Sequence, residues 1–206
     1  MAGHAAPAAR LCRRPAIPCP PPAKAPERGK DTLIDIKVTQ GSLDDVSDFV
    51  SMLHEHTTWL LPTRYVDLPE TLGWEEPPPI VKQVLRHTRA GRTRICRHPS
   101  GRVTGGSVPI DEAPEFIPPS DEPELYLYLP VSDVRHWDLD IAALVADARA
   151  EAARRGIRLL RTHSWSGEDG WLVHDYERLG FTPTLEFEVL RANGSFWPGQ
   201  VLETRV

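Results

Sequence analysis

Hydrophobic positions recur along this chain with two periods, and the places where the period changes mark its elements. Leu33-Ile34-Asp35-Ile36-Lys37-Val38 reads as a first strand. Ser42, with Asp45 three residues on, gives a helix start. Val46, Phe49, Val50 and Leu53 then follow at helical spacing to about Thr58. Residues 60–79 are a proline-broken loop, and Ile80 to Arg89 is a second helix ended near Gly91. Arg94 to His98 and Arg102 to Ile110 flank Pro99-Ser100-Gly101, a hairpin signal. Gly105 and Gly106 inside the second of these strands predict a bulge or a close backbone approach. Glu124 to Val131 alternates Leu125, Leu127 and Leu129 with Tyr126 and Tyr128, a strong strand. Ile141, Leu144, Val145 and Ala148 stripe a helix over Ile141 to Arg155, closed by Gly156. Ile157 to His163 is a further strand. A short helix then carries Tyr176, and Thr184 to Leu190 is a last strand.

Composition changes this picture mainly at the start. The 206 residues are 40% apolar and 26% charged, which fits one domain with extensions and room for a core. Many of the 21 prolines fall within 7–26, 62–79 and 109–123, so they mark a tail and two loops. Residues 1–30 carry six cations against Glu27, a net +5, and the whole chain carries −5; the remainder is therefore −10. An acidic domain repels phosphate backbones, which argues against nucleic acid as main partner and favours a cationic small molecule or peptide amine. No apolar run approaches the ~20 residues of a membrane helix. Cys12, Cys19 and Cys96 have no metal spacing and suit a reducing, cytoplasmic compartment. The tail, residues 1–32, lacks the apolar stretch of a secretory signal, and its prolines break an amphipathic transit helix; disorder is expected there.

The chemistry concentrates in Asp169-Gly170-Trp171-Leu172-Val173-His174-Asp175-Tyr176-Glu177-Arg178-Leu179-Gly180-Phe181. This run resembles the last segment of the GCN5-related N-acetyltransferases (GNAT), Asn-x-x-Ala-x-x-x-Tyr-x-x-x-Gly-Phe. The element order β-α-α-β-β-β-α-β-α-β is that family's order. The resemblance covers residues 33–190 and leaves 191–206 as a C-terminal extension. It implies an α/β fold: a mixed, twisted sheet flanked by helices, splayed between the long strand and the next so that an acyl donor enters the wedge. It also implies acyl transfer, acetyl above all, from a coenzyme A thioester to a primary amine, with no metal. A homodimer is among the assemblies it suggests.

Residue by residue, the resemblance makes Tyr176 the general acid that protonates the leaving thiolate. Asp169 stands where the family has asparagine, touching the pantetheine arm; it can cap the helix but cannot donate a hydrogen bond. Backbone amides around Leu129, Pro130 and Val131 would hold the thioester. The family's pyrophosphate loop, Arg/Gln-x-x-Gly-x-Gly/Ala, uses glycines because the chain must approach the phosphates closely. Here the junction runs from Val131 to Leu144 without one, and no glycine occurs from Ser107 to Arg155. In one register Arg135 leads, and Asp138 and Asp140 replace the glycines. In the other His136 leads, and Leu139 and Ile141 replace them. A carboxylate ~4–6 Å from a phosphate costs roughly 3–4 kcal/mol at an effective dielectric of ~20. Either aspartate could instead cap the helix.

For a general base, Glu124 and Tyr126 sit on the acceptor-facing strand and His163 ends the next; of these, Glu124 and His163 are the candidates, and both also suit structural roles. Asp111, Glu112, Glu115, Asp121 and Glu122, with Trp59, Tyr65 and Trp74, would form an anionic, aromatic mouth for a cationic amine, or else a solvated loop and core aromatics. Loss of the glycines keeps two alternatives open. One is a GNAT-like transferase fed by a carrier-protein thioester or an aminoacyl-tRNA in a natural-product pathway. The other is a non-catalytic binding protein of the same fold.

Overall fold

A computed structural model describes residues 36–56, 79–167, 170–190, 194 and 196–206. Strand β1 is Lys37–Gln40. Ser42 and Asp45 form the expected capping box around a 3-10 turn, Leu43–Asp45, and helix α1 follows as Val46–Glu55. Helix α2 is Pro79–Arg89, and strands β2 and β3 are Arg94–Arg97 and Val103–Ile110. Strand β4 is Glu124–Ser132; a 3-10 turn, Val134–His136, leads into helix α3, Trp137–Arg154. Strand β5 is Leu159–Trp165, helix α4 is Trp171–Arg178, and strand β6 is Thr182–Leu190. Two elements are shifted from expectation, β1 starting at Lys37, with 33–35 outside the described residues, and α3 starting at Trp137 in place of Ile141; a third was not expected. Residues 196–205, read as part of an extension, form strand β7, Phe196–Arg205. Its Trp197, Val201 and Leu202 are fully buried, which is why the segment joins the sheet.

The seven strands order as β1-β2-β3-β4-β5-β7-β6, antiparallel except for the parallel pair β4–β5. Alternation along β4 divides the core. Tyr126 and Tyr128 face the side covered by α1 and α2, with Phe49, Leu53, Val84 and Val201. Leu125 and Leu127 face α3 and α4, with Ile141, Leu144, Leu160, Tyr176 and Leu202. Gly105 and Gly106 sit where the backbone comes close. A Cβ on Gly105 would lie 3.1 Å from Asp140 Cβ, and one on Gly106 would lie 3.0 Å from the Phe49 ring. These two glycines let α3 and α1 rest on opposite faces of β3.

Candidate active site

The site begins where β4 and β5 part. Only three residue pairs join them: Glu124 with Leu159, Leu125 with Leu160 and Tyr126 with Arg161. Beyond that point Thr162 Oγ1 donates to Leu127 O at 2.8 Å, a side chain in place of the next rung of the ladder. Against β3, β4 carries a bulge: Val131 pairs with Gly106 but Tyr128 with Val108, so β4 has one extra residue there. Leu129 takes up the bulge with φ of +51°, the one non-glycine residue at positive φ among the described residues. Such strain in a leucine persists only where the surrounding packing fixes it, and Leu129 is 2% exposed. The bulge lies on the part of β4 that has separated from β5. Pro130 brings no N–H to it, so Leu129 and Val131 are the amides it can supply.

The junction from β4 to α3 lies at the same open end. Asp133 caps the 3-10 turn by accepting from Arg135 N at 3.1 Å. Its carboxylate pairs with Arg135 Nη2 at 2.8 Å and Arg102 Nη1 at 3.0 Å, and these bonds hold its pKa far below the usual carboxylate range. Arg102 also lies 3.2 Å from His136 Nε2, and His136 stacks at 5.9 Å from His98. The two aspartates expected to oppose a phosphate part company. Asp138 stands exposed on the first turn of α3. Asp140 is fully buried and faces the sheet, accepting from Thr104 Oγ1 at 3.1 Å and Ser132 Oγ at 2.8 Å. Burial raises its pKa, partly offset by those two hydroxyls. Asp140 is therefore a buried anchor of α3 and not a phosphate contact. The same holds for Ile141, a core residue in the second register, whereas Leu139 is 44% exposed.

Trp137 ties this junction to α4. Its ring lies 6.4 Å from Trp171 and 6.4 Å from His56, and its side chain hydrogen-bonds the Asp175 carboxylate. Helix α4 then presents Tyr176. Gly180 at φ of +85° ends the helix, and Phe181 N donates back to Tyr176 O at 3.1 Å. The turn folds the Phe181 ring edge-on to Tyr176 at 5.6 Å. This is the physical content of the Tyr-x-x-x-Gly-Phe spacing: glycine permits the turn and the aromatic clamps the tyrosine. Tyr176 is 2% exposed, and burial pushes its hydroxyl pKa well up, so it carries its proton at neutral pH. Tyr176 is also near enough to Tyr126 on β4 to raise the pKa of that phenol.

The base candidates turn out differently. Glu124 is 7% exposed and lies at the closed end, where its oxygens accept from Arg161 Nη1 at 2.8 Å and Ala113 N at 2.9 Å. Arg161 also reaches Glu203 at 3.0 Å and Pro118 O at 3.2 Å. Glu124 is thus a structural ion-pair partner that pins the 111–123 loop, and it is withdrawn as a catalytic base. His163 is 7% exposed, with Nδ1 2.8 Å from Tyr126 Oη. Phe116, Tyr128, Phe187 and Trp197 stand around its ring at 5.3–6.4 Å. Burial holds its pKa down to about 4, so it is neutral and a weak base at pH 7. It stands in the aromatic wall beside Tyr128 and keeps 7% exposure.

The fold has counterparts among solved structures. The ribosomal-protein-alanine N-acetyltransferase of Brucella melitensis is similar at 13% identity over 82% of this chain and 99% of that one, with a TM-score of 0.57. The yncA protein of Salmonella typhimurium, solved with its cofactor acetyl-CoA, is similar at 13% identity over 83% and 94%, TM-score 0.57. An agmatine N-acetyltransferase mutant in its apo form is similar at 14% identity over 84% and 100%, TM-score 0.55. The fold is that of the GNAT acetyltransferases. No protein-family model and no curated protein matches the sequence.

Within the GNAT frame, the structure brings together Leu129, Val131, Arg135, His136 and Asp138 at the open end of β4. Asp169 and the aromatics Trp59, Tyr65 and Trp74 lie outside the described residues. Two members of the expected anionic mouth face arginines instead: Asp111 pairs with Arg92 and Arg155, and Glu122 with Arg205. Three residues escaped the sequence reading. Arg102 reaches the junction through the β2–β3 hairpin, and Thr104 and Ser132 satisfy Asp140; Arg102 and Thr104 lie far from the junction in sequence, and Ser132, inside it, meets Asp140 only once β4 and α3 are in place. No helix among the described residues is long and apolar enough to cross a membrane, and no group there could hold a metal ion.

Proposed function

We propose that this protein is an N-acyltransferase that moves an acetyl group from coenzyme A to a primary amine on a small molecule or peptide in the cytoplasm. The observation that carries the reading is the open end of β4: the strands part after Tyr126, Leu129 bulges at positive φ, and Tyr176 is clamped nearby with its proton in place. The residues fit the donor. Leu129 and Val131 offer amides to a thioester oxygen, and Arg135 and Arg102 give the junction a cationic rim with His136 beside Arg102. Asp140, the carboxylate that would oppose a pyrophosphate most closely, is spent on Thr104 and Ser132. When bound, coenzyme A supplies the acyl group in activated form. As the amine nitrogen forms its bond to the acyl carbon and the C–S bond breaks, Tyr176 would give its hydroxyl proton to the departing sulfur, a contribution of about 10²- to 10⁴-fold, and the proton that the amine loses, carried by water, would restore the phenol. Titration calorimetry of the full chain with acetyl-CoA tests this: micromolar binding, with thiol release once an amine is added, is the expected result.

A second reading is favoured by one observation. Asp138 remains exposed on the first turn of α3, and the junction has no glycine to admit phosphates closely. A carrier-protein thioester in a natural-product pathway would meet the same wedge with its pantetheine arm alone. A folded protein that fails to bind acetyl-CoA, yet accepts an acyl-pantetheine, would select this donor.

A further inference from the structure

The wedge contains a polar pair that the acyl-transfer chemistry above does not use. Tyr126 Oη is fully buried, and among the described residues its one hydrogen bond is to His163 Nδ1 at 2.8 Å. Both sit where the β4–β5 ladder ends. Tyr126 is the last β4 residue in register, opposite Arg161, and His163 is two residues further along β5 on the same face. A buried hydroxyl with a single partner donates to it, because an orphaned O–H loses its full hydration while an under-used phenol oxygen loses little. The imidazole nitrogen is also the better acceptor of the two. That direction fixes the ring: Nδ1 accepts, and the ring proton sits on Nε2.

Nε2–H is then a donor with no protein partner among the described residues. Phe116, Tyr128, Phe187 and Trp197 surround the ring with apolar surface, and no charged group acts on it; the sole cause of its lowered pKa is burial. Glu124, the nearest acid on the same face of β4, is held by Arg161 and Ala113. The ring and Tyr128 beside it keep 7% and 9% exposure. A buried donor in such a wall suits an uncharged oxygen, since a carboxylate would have to be desolvated there without a counter-charge.

We infer that His163, oriented by Tyr126, is a specificity-determining residue that reads an uncharged hydroxyl or carbonyl oxygen on the acceptor amine, whose flat apolar body lies against the surrounding aromatic rings. The inference rests on the acyltransferase reading for the word acceptor, but not for the binding itself. In this role His163 has no lone pair facing the cleft, so it is not the general base. Tyr126 acts through it and is a positioning residue.

The test uses the full chain and two amines differing by one hydroxyl: 2-phenylethylamine and 2-amino-1-phenylethanol. Wild-type protein should bind the hydroxylated amine about five- to tenfold more tightly, the effect of one neutral hydrogen bond. His163→Phe should bring the ratio to about one, while His163→Gln, which keeps an N–H donor, should retain most of it. Tyr126→Phe should lower the ratio about two- to threefold by releasing the tautomer, a change that a purely structural tyrosine would not produce. Nitrogen-15 NMR of labelled histidine should find Nε2 protonated and Nδ1 bare, with the His163 Nε2 signal moved by the hydroxylated amine. A proton on Nδ1, an unchanged ratio in His163→Phe, or a His163 signal that neither amine moves would each overturn the inference. The two readings fail separately. A protein that discriminates the amines but never consumes acetyl-CoA keeps the His163 station and loses acyl transfer. One that acetylates both amines equally keeps acyl transfer and loses the station.

Discussion

The two ends of β4 are built on opposite principles. At the closed end, Glu124 to Tyr126 pair with β5, and Glu124 and Arg161 lock together at 2.8 Å, each about 5% exposed. Ala113 N and Pro118 O hydrogen-bond this pair, and Glu203 lies 3.0 Å from Arg161 Nε. At the open end the ladder stops after Tyr126, Leu129 sits at positive φ, and Arg102 and Arg135 share the single carboxylate of Asp133. The difference teaches how a sheet can split without failing. An ion pair buried beside the paired rungs holds the strands together at one end, while at the other a side-chain bond from Thr162 and a bulge at Leu129 take the place of the ladder.

The sharpest way to break this contrast is to remove Arg161. Arg161→Ala leaves the Glu124 carboxylate buried with one backbone donor, and stability should fall by about 3–5 kcal/mol. Denaturant titration reads it. Donor binding to the folded fraction should be unchanged, because the lock lies away from the wedge. A loss of binding equal to the loss of stability would mean the two ends are one unit.

The wall of the wedge should be sensitive to acid. Burial holds the His163 pKa at about 4 in the folded protein against the ordinary 6.5 of an exposed imidazole, so the unfolded chain binds the extra proton between those values. Stability from the neutral ring is present above pH 6.5 and drains as pH falls toward 4, by on the order of 3 kcal/mol in all. The difference in stability between wild type and His163→Gln, followed over pH 7 to 4, isolates this contribution from the carboxylates. A difference that stays flat would place His163 in contact with water.

How far the sequence carried this reading depended on whether a signal was local. The order of strands and helices came from periodicity, and the Tyr176–Gly180–Phe181 turn came from a spacing fixed within one helix turn and its cap. Residues 196–205 were missed because Trp197 and Val201 are separated by Pro198 and Gly199, which break the alternation; their strand exists through pairing with β5 and β6. The fates of Asp140 and Glu124 were hidden for the same reason. A carboxylate's role is set by its partners, and Thr104, Ser132 and Arg161 are brought to them only by the fold.

Tyr176 offers the cleanest separation of chemistry from architecture. Tyr176→Phe removes one hydroxyl and keeps the ring against Phe181. Turnover should drop about 10²-fold while donor affinity and melting temperature stay close to wild type, since removing the acid affects the transition state alone. Equal turnover in the variant would retire Tyr176 as the acid and leave it as a core residue.

Arg135 tests the open end most gently and decides between donors. Its side chain is 70% exposed and shares Asp133 with Arg102, so Arg135→Ala leaves Asp133 paired and stability within about 0.5 kcal/mol of wild type. If phosphates sit at the β4–α3 junction, acetyl-CoA affinity should weaken about threefold at low salt, and the gap should close as salt rises, because an exposed cation is screened within about 10 Å at 0.1 M. A pantetheine donor without the nucleotide reaches only the wedge beside Leu129, so its affinity should ignore the substitution. A variant that weakens both donors alike would mean that Arg135 acts by holding the 3-10 turn through Asp133, and the cationic rim would then belong to the scaffold and not to the ligand.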